Sequence, residues 1–290
     1  MPLTGMKQIL PHAVAGGYGV AAFNPVDYNS AKAMVDAAAA LDAPVILQTS
    51  VKTVKYWGHA ACAGWIKELV ADTSVPISLH LDHCQDLDVI RGCIDYGWTD
   101  VMIDASALPF EENLAMSREV VTMAAAAGMG VEAELGRIVG VEDDIFVDAR
   151  DAHLTEVDEA VRFCRDLDLA VFAPAIGTAH GYYSGEPNVA FDRIEEIHRR
   201  TGKPLALHGG TGLANDVFAK SIARGCAKIN ISTQLKHAFI DGFAAYHRDN
   251  PDDYEPLRVI EAQYEALLAV FMDRIEQFGG GGQGSLILAA

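Results

Sequence analysis

The chain has 290 residues, half of them hydrophobic, so it is long enough to bury one large core or two small ones. Its formal net charge of −18, from 22 basic and 40 acidic residues, argues against nucleic acid and anionic membranes as partners. The five cysteines have no CxxC spacing and are expected to be reduced thiols, and no segment has the pattern of a signal peptide or membrane span. These features predict a cytoplasmic protein in which any anionic ligand is held by a local site.

Short β-like apolar runs alternate eight times with helix-like stretches along the chain. The predicted strands are 19–24, 44–50, 76–82, 100–106, 130–136, 170–177, 204–209 and 227–233. Eight such units within roughly 250 residues, without a linker, are typical of a (β/α)8 barrel, so we predict a single barrel domain over residues 1–290. The alternative is a doubly wound open sheet, but its Gly-rich fingerprint is missing from GVAAFNP after the first strand.

Two helices are predicted from their apolar periodicity. The first follows the first strand, with Asp27 or Asn29 as its N-cap. The second is an extra C-terminal helix that ends at Gly279–Gly282 and is expected to cover the barrel or a partner subunit. Its apolar stripe consists of Ile260, Tyr264, Leu267, Leu268, Phe271 and Ile275.

Polar side chains stand at the ends of the predicted strands, where the loops of a barrel meet over its mouth and carry catalytic groups. Three of them are histidines at the ends of the third, sixth and seventh strands, namely His83, His180 and His208. Three neutral imidazoles with one open coordination position are typical of a catalytic Zn²⁺ site, in which the metal polarises a carbonyl oxygen. The sequence therefore predicts a zinc site at this rim.

Carboxylates on neighbouring strands are suited to orient these histidines. Asp104, Glu132 and Glu134 are expected either to hydrogen-bond the ligand imidazoles or to form an alternative metal position. Glu132 and Glu134 face the same side of their strand, and one of them could instead pair with a lysine inside the barrel.

The segment PISLHLDH alternates so that Ser78, His80 and Asp82 face the barrel interior. Asp82 should then lie at the mouth, where a carboxylate can exchange a proton with a substrate hydroxyl. His80, one layer deeper, is interpreted as a core histidine rather than a ligand.

A phosphate site is predicted where GGTG joins the seventh strand to its helix, because successive N–H groups of such a turn bind phosphate. Barrels most often hold phosphate in the loops after strands seven and eight. The candidates are Gly209, Gly210, Thr211, Asn230, Ser232 and Thr233, with Asn24 and Ser50 at the ends of the first two strands as further substrate contacts.

The segment RIVGVEDDIFVDARDAH, residues 137–153, is longer than an ordinary βα connection and is expected to form a lid with Gly136 and Gly140 as hinges. Its acidic residues Glu142, Asp143 and Asp144 either form a solvated face or bring one carboxylate to the mouth on closure.

Six segments follow one another in the order and at the separations of the class II fructose- and tagatose-bisphosphate aldolases, which the chain resembles over nearly its whole length. They are SLHLDH, DVMIDAS, VEAELGRIVGVEDD, AIGTAHGYY, LHGGTGL and KINIST. The resemblance implies a zinc-dependent enzyme that reversibly cleaves a phosphorylated ketose, either a bisphosphate such as fructose or tagatose 1,6-bisphosphate or a ketose 1-phosphate. The products would be dihydroxyacetone phosphate and an aldehyde, and the enzyme would be a homo-oligomer, dimer or tetramer.

By the same resemblance, His83, His180 and His208 match the zinc ligands of the family. Asp82 matches its proton-transferring aspartate, Glu142 the mobile-loop glutamate that moves the proton at the nucleophilic carbon, and Asn230 the residue that steadies the enediolate. The ketone-side phosphate would be surrounded by Gly181, Gly209–Thr211 and Asn230–Thr233, and nearby backbone carbonyls would hold a monovalent cation, Na⁺ or K⁺.

Two positions depart from the family pattern. Ser184 stands where many fructose-bisphosphate members have a phosphate-binding lysine. Leu257 stands where the family often has the arginine of a DPR motif, with Arg258 one place later. A monophosphate, or another anionic tail at that end, is therefore an alternative to a bisphosphate.

Two other functions are considered. A metal-dependent barrel hydrolase would use its metal to generate hydroxide, but such barrels commonly carry HxH on the first strand, which GVAAFNP lacks. A non-catalytic phosphosugar-binding subunit would need neither Asp82 nor Glu142.

Overall fold

Strands and helices alternate along the chain, as the sequence predicts. The computed structural model describes residues 3–142, 145–147, 153–183 and 185–289, with the backbone alone at 139, 141, 142 and 145–147. The described strands are β1 Val20–Phe23, β2 Val45–Ser50, β3 Ile77–Cys84, β4 Asp100–Ile103, β5 Gly130–Leu135, β6 Val139–Glu142, β7 Ile145–Val147, β8 Val171–Pro174, β9 Ala179–His180, β10 Leu205–Leu207 and β11 Cys226–Ile231. The described helices are α1 Met6–Gly16, α2 Tyr28–Ala40, α3 Val51–Trp57, α4 His59–Val70, α5 Leu87–Tyr96, α6 Phe110–Ala126, α7 Val157–Asp166, α8 Phe191–Thr201, α9 Asn215–Ile222, α10 Thr233–Asp249, α11 Pro256–Gln277 and α12 Gly284–Ala289.

Eight strands close into a parallel barrel in the order β1-β11-β10-β8-β5-β4-β3-β2. The ring closes because β1 pairs on both sides, with Ala22 opposite Ile46 in β2 and opposite Asn230 in β11. Each barrel strand overlaps a predicted segment. The predicted (β/α)8 barrel is confirmed.

The barrel strands bury both of their faces. Outward side chains such as Phe23, Leu47 and Ile229 are fully buried beneath the helices and belong to the main core. Inward side chains such as Val20 and Ile46 form a second, smaller cluster in the lumen. Because strand side chains alternate, polar residues nearer the C-terminal ends of the same strands face the same lumen.

Helix α1 packs against the lumen cluster and was not predicted, since Pro11 at its centre argues against a helix. Its buried residues Met6, Ile9 and Leu10 belong to that cluster, and burial of each such side chain stabilises the fold by roughly 1.5–3 kcal/mol. Asp100 of β4 accepts the Met6 N–H with both carboxylate oxygens, at 3.1 and 3.0 Å. This buried carboxylate replaces the helix cap that the N-cap residue, a glycine, cannot supply.

Helix α2 is capped by Asp27, one of the two predicted candidates. The Asp27 carboxylate accepts the Ser30 N–H at 2.8 Å, and the Ser30 hydroxyl accepts the Asp27 N–H at 3.0 Å, which completes a capping box. Asn29 lies in the first turn instead, and its amide donates to the Ile260 carbonyl of α11 at 3.0 Å.

After α10, which follows the last barrel strand as predicted, the chain has two further described helices, α11 and α12, where one extra helix was predicted. In α11 the predicted stripe is buried at Leu267, Phe271 and Ile275, but Ile260 at its start is 41% exposed. Helix α10 lies beside α11, with the Gln263 amide donating to a carbonyl of α10 at 3.0 Å. No described helix combines the length and hydrophobicity that crossing a membrane requires.

A second, three-stranded sheet has the order β7-β6-β9. Its parallel pair places Gly140 of β6 opposite His180 of β9. The φ of Gly140 is 113°, and a Cβ at this position would lie 2.4 Å from the His180 carbonyl oxygen, so only glycine fits. Gly140, one of the two predicted hinges, is thus part of a strand pairing in this structure.

Candidate active site

The three histidines meet at the C-terminal end of the barrel. His83 has a φ of 41°, an uncommon value for a residue other than glycine, because the chain turns at the end of β3. Ring centroids lie 4.6 Å apart for His83 and His208, 5.2 Å for His83 and His180, and 6.2 Å for His180 and His208. One nitrogen of each ring lies within 4.8 Å of the others, so the three side chains could hold one metal ion.

Buried carboxylates contact two of these rings. His83 Nδ1 lies 2.8 Å from Asp104 Oδ2, and His208 Nε2 lies 2.7 Å from Glu132 Oε1. Burial by itself raises the pKa of Asp104, but the hydrogen bond and charge of His83 together with the hydrogen bonds from Ser106 outweigh it and lower the pKa to about 2. Burial likewise opposes ionisation of Glu132, yet the adjacent Lys228 and His208 hold its pKa well below the usual range. Both carboxylates are therefore ionised acceptors at neutral pH, which places a proton on the ring nitrogen facing each of them.

The other two ring nitrogens fit a bound cation. His83 Nε2 and His208 Nδ1 face each other at 2.8 Å, and with protons on the opposite nitrogens both present lone pairs. Two facing lone pairs repel unless a cation or an extra proton lies beside them. Burial lowers the pKa of His208, which disfavours the extra proton. The donor set therefore suits a divalent metal ion of the kind that neutral imidazoles bind.

Glu134 lies beside the histidines without a short contact to them. Its Oε2 atom is 4.0 Å from His83 Nδ1 and 3.9 Å from His208 Nδ1. Burial, together with the charge of Asp104, raises the pKa of Glu134 well above its usual range. His83, Asp104 and Glu134 also form a group close enough to hold a metal ion, so the two predicted metal positions share His83.

Asp82 is held at the mouth through one of its oxygens. Asn24 Nδ2 and Gln48 Nε2 donate to Asp82 Oδ2 at 2.9 and 3.0 Å. Asp82 Oδ1 is buried and has no hydrogen-bond partner within the described ranges. One oxygen is thus positioned by the protein, and the other is left to accept a hydrogen bond from a ligand. The role of Gln48 was not predicted, although its inward parity two residues before Ser50 was a usable signal.

Asn230 of β11 presents a buried amide at the same end of the barrel. It is 3% exposed, and neither its Nδ2 nor its Oδ1 atom has a partner in the part of the chain that the structure describes. Leaving a buried polar group unsatisfied costs about 1–3 kcal/mol. Native proteins accept this cost mainly where a ligand or water supplies the missing partner.

The loop after β10 is tied to the segment that carries His180. Gly209 has a φ of 69°, and a Cβ there would lie 2.4 Å from the Ala179 carbonyl oxygen. The Tyr183 hydroxyl accepts the Ala179 N–H at 3.0 Å and donates to the Gly209 carbonyl at 2.7 Å. Burial raises the pKa of Tyr183 to about 12, so the hydroxyl keeps its proton and its donor function. Tyr183 is a positioning residue that sequence reasoning missed.

The remaining predicted substrate contacts lie in turns and at helix starts, where several of them form hydrogen bonds with the backbone. The Ser50 hydroxyl caps α3 by accepting the Thr53 N–H at 3.2 Å. The Gly210 N–H donates to the Asn230 carbonyl at 3.3 Å, and the Thr211 hydroxyl accepts the Gln234 N–H at 3.3 Å. Ser232 immediately precedes α10, which begins at Thr233, and Gly181 follows His180 with a φ of 93°.

Part of the predicted lid is not described. The backbone of Glu142 belongs to β6, opposite Ile145. The Glu142 side chain, together with Asp143, Asp144 and Ser184, lies outside the described residues.

Below the histidines, Glu132 also pairs with a lysine. Lys228 Nζ lies 2.9 Å from Glu132 Oε2, and His80 Nε2 lies 3.1 Å from the same oxygen, with all three side chains fully buried. Glu132 therefore contacts both a predicted ligand histidine, His208, and a buried lysine.

The geometry agrees with a comparison of the whole chain with known families. A family model described as class II fructose-bisphosphate aldolase matches residues 4–283. This chain belongs to that family. It is accordingly a class II aldolase, a metal-dependent carbon–carbon lyase, as the sequence predicted.

Relatives of this aldolase are named after different substrates. The sulfofructosephosphate aldolase of Alkalicoccus urumqiensis is 38% identical over 273 residues, which cover 94% of this chain and 95% of that protein. The 6-phospho-5-dehydro-2-deoxy-D-gluconate aldolase of Bacillus subtilis is 37% identical over 287 residues, which cover 98% of each. The crystal structure of the YdjI aldolase from Escherichia coli K12 matches with a TM-score of 0.86 at 27% identity, covering 98% of this chain and 100% of that one.

Near the C-terminus of this aldolase, the structure describes the two residues that the sequence analysis singled out. Leu257 is 64% exposed, and Arg258 forms an ion pair with Asp253 at 2.7 Å. Arg258 is therefore engaged within its own segment.

Proposed function

We propose that this aldolase reversibly cleaves a phosphorylated ketose to dihydroxyacetone phosphate and an aldehyde, with Zn²⁺ held by His83, His180 and His208. The supporting observation is the convergence of three imidazoles, two of them oriented by buried carboxylates, beside Asp82. When bound, such a cation supplies a Lewis acid that polarises the ketone carbonyl.

Asp82 exchanges the proton of the C4 hydroxyl. Asn24 and Gln48 hold one of its oxygens and leave Oδ1 for the substrate, so no side-chain rearrangement is needed before proton transfer. Loss of the C4 hydroxyl proton accompanies cleavage of the C3–C4 bond and formation of the aldehyde carbonyl.

Asn230 stabilises the negative charge that remains on the ketone-side fragment. Its amide has no protein partner in the described region, so donation to that charge restores a missing hydrogen bond. Glu142 then returns a proton to C3 and completes dihydroxyacetone phosphate, the role implied by its match to the mobile-loop glutamate of the family; its backbone lies in β6, which pairs with the His180 strand.

The phosphate of the ketone-side fragment is bound by Gly181, Gly209–Thr211 and Asn230–Thr233. These loops are joined to one another by Tyr183 and Thr211, so the N–H groups and hydroxyls facing the phosphate are fixed in advance. A monovalent cation, Na⁺ or K⁺, completes the proposed site.

Exchange of the C3 proton of dihydroxyacetone phosphate with solvent tests this function. The Zn²⁺-loaded protein is incubated with dihydroxyacetone phosphate in D₂O, and deuterium incorporation is followed by NMR. We expect exchange that a chelator abolishes and that Glu142→Gln lowers by roughly 10²–10⁴-fold. Asp82→Asn should lower ketose cleavage by a similar factor and exchange by much less, because exchange involves no C4 hydroxyl.

Asp86→Asn is the matched control, because Asp86 lies shortly after Asp82 in the chain but outside the active site. It is the N-cap of α5, and its carboxylate accepts the Asp88 N–H on the surface. It should change neither reaction. Absence of exchange in the metal-loaded wild type across several pH values would contradict the proposed function.

A further inference from the structure

Helix α10 begins beside the proposed phosphate loops. Its N-cap residue, Ser232, provides no side-chain cap for the helix within the described part of the chain. The Gln234 N–H of its first turn donates instead to the Thr211 hydroxyl of the loop after β10, at 3.3 Å. The first N–H groups of a helix carry partial positive charge and favour an anion. Under the proposed function, this helix start therefore faces the ketone-side phosphate.

His237 lies one helical turn beyond this start. It follows Thr233, a proposed phosphate contact, by four residues. Residues at this spacing are neighbours on one face of a helix, with their Cβ atoms about 5–6 Å apart. Helical side chains lean toward the N-terminus of their helix, which brings an imidazole at this position back toward Thr233. The His237 side chain is exposed, so a ligand at the mouth can reach it.

Tyr182 connects His237 to the other two loops around the phosphate. The two rings meet edge to face, with centroids 5.1 Å apart and an interplanar angle of 84°. Tyr182 directly follows Gly181, a proposed phosphate contact in the loop after β9. A Cβ on Gly212, the last residue of GGTG, would lie 3.4 Å from the Tyr182 ring. The imidazole therefore lies where the segments that surround the phosphate come together.

A cation of the family's phosphate site is missing from this chain. Ser184 has the place in the sequence where many members have a phosphate-binding lysine, two residues after Tyr182. A serine hydroxyl is a neutral donor, so this exchange removes a charge-assisted hydrogen bond to the phosphate. His237 contacts the same segment through Tyr182 and belongs to another element, α10.

We propose that His237 binds the ketone-side phosphate and takes the place of the lysine that is absent at position 184. The inference rests on the proposed function and adds a specific residue to its phosphate site. A neutral imidazole has one N–H donor and an imidazolium has two, so His237 can donate to a phosphate oxygen in either charge state. A hydrogen bond to an ionised phosphate oxygen is roughly twice as strong as one between neutral groups.

Calorimetric titration with glycerol 3-phosphate tests this contact without any aldol chemistry. His237→Leu replaces the imidazole with an apolar side chain, and we expect it to bind glycerol 3-phosphate about tenfold more weakly than the wild type. Adding Ser184→Lys to the His237→Leu protein should restore most of the affinity, because it returns the cation that other members of the family use.

His247→Leu is the matched control. His247 is an exposed histidine of the same helix, about 15 Å farther along its axis, and its ring lies beside Phe243 and Tyr254. The control should bind glycerol 3-phosphate like the wild type. Equal affinities of the wild type, His237→Leu and His247→Leu would overturn the role of His237. Failure of Ser184→Lys to restore binding would overturn the exchange of roles with the lysine.

Proton exchange kinetics distinguish phosphate binding from a general structural effect. With dihydroxyacetone phosphate, His237→Leu should raise KM about tenfold and leave kcat nearly unchanged, because the phosphate contact is the same in the ground state and the transition state. With dihydroxyacetone, which has no phosphate, kcat/KM should stay at the wild-type value. An equal loss of kcat/KM with both compounds would overturn the proposed contact.

The two proposals can fail separately. If glycerol 3-phosphate binding depends on His237 but the metal-loaded wild type exchanges no proton of dihydroxyacetone phosphate, the proposed function is contradicted and the phosphate contact stands. If exchange occurs and His237→Leu binds glycerol 3-phosphate like the wild type, the contact is wrong and the proposed function stands.

Discussion

Asp104 and Glu132 both contact a histidine of the candidate metal site, but the rest of their surroundings differ. Asp104 accepts from His83 and, through its other oxygen, from the Ser106 hydroxyl at 2.7 Å. Glu132 contacts His208 and is the partner of the fully buried Lys228. Removing the Glu132 charge would leave a lysine buried and uncompensated, which typically costs 3–5 kcal/mol. Asp104 is therefore the residue at which ligand orientation can be tested without unfolding the barrel.

Asp104→Asn should weaken zinc binding by about 10- to 100-fold. An amide NH₂ placed against His83 Nδ1 favours the tautomer with its proton on Nε2, and a protonated nitrogen cannot bind a metal ion. The measurement is competition with a chromophoric zinc chelator, with the melting temperature of the metal-free variant recorded alongside.

Asp95→Asn, a substitution at an exposed position of α5, serves as the control and should bind zinc like the wild type. If Asp104→Asn bound zinc as tightly as Asp95→Asn, orientation of His83 by Asp104 would be ruled out.

At the scale of elements, α1 depends on a carboxylate of β4. Burial raises the pKa of Asp100 above its ordinary value, in spite of the Met6 N–H and the Ser78 hydroxyl that it accepts. In the folded protein the Asp100 carboxyl group thus keeps its proton at pH values at which the same group of the unfolded chain has released it. Stability contributed by this group is present at low pH and falls as pH rises above about 4, the ordinary pKa of an aspartate.

Asp100→Asn removes this titration while keeping an acceptor for the Met6 N–H. We expect the free energy of unfolding of Asp100→Asn, relative to the wild type, to increase as pH rises from 4.5 to 7.5. Each unit of pKa difference corresponds to about 1.4 kcal/mol. Urea unfolding followed by circular dichroism measures the difference at each pH.

Asp168→Asn is the comparison variant, for which the change in the free energy of unfolding with pH should have the opposite sign. Its side chain is 71% exposed, and a hydrogen bond from Lys7 at 2.7 Å lowers the pKa of Asp168. Its replacement should therefore cost a little stability as pH rises, an effect that solvent screening keeps small. A flat difference for Asp100→Asn over this range would show that Asp100 does not titrate as inferred.

At the scale of the whole molecule, large apolar side chains remain exposed on α10, α11 and the turn between them. Phe243 is 49% exposed, Tyr254 83% and Leu257 64%. Concentrated apolar surface of this kind marks a protein interface more often than a solvated face. We therefore expect this surface to form the interface of the homo-oligomer that the family resemblance implies, which stays a prediction.

Leu257→Glu should shift the protein toward the monomer, because a carboxylate buried in an apolar interface loses its hydration without gaining a partner. Light scattering coupled to size exclusion measures the mass over a range of concentrations. Leu286→Glu is the control, since Leu286 is 52% exposed on α12. A wild type that is monomeric at every concentration, or equal masses for both variants, would contradict an interface at α10 and α11.

The fold and the chemical groups of the site could be predicted from the sequence because both depend on local patterns. Alternation of apolar runs gave eight strands, and the parity of PISLHLDH placed Ser78, His80 and Asp82 on one face of β3. Polar residues at strand ends then indicated which side chains share the mouth, since a parallel barrel collects all its C-terminal ends on one side.

The partner of each side chain was decided only by the tertiary structure. Glu132 and Glu134 have the same parity in the sequence, yet one pairs with Lys228 and His208 while the Oε2 atom of the other lies 4.0 Å from His83 Nδ1 and 3.9 Å from His208 Nδ1. Such pairs join strands that are distant in the chain, and their distances are set by the register and closure of the whole barrel. A local pattern determines which face of its strand a residue occupies. How far along the barrel axis that residue lies, and which side chain of another strand it meets, depend on the tilt and stagger of all eight strands.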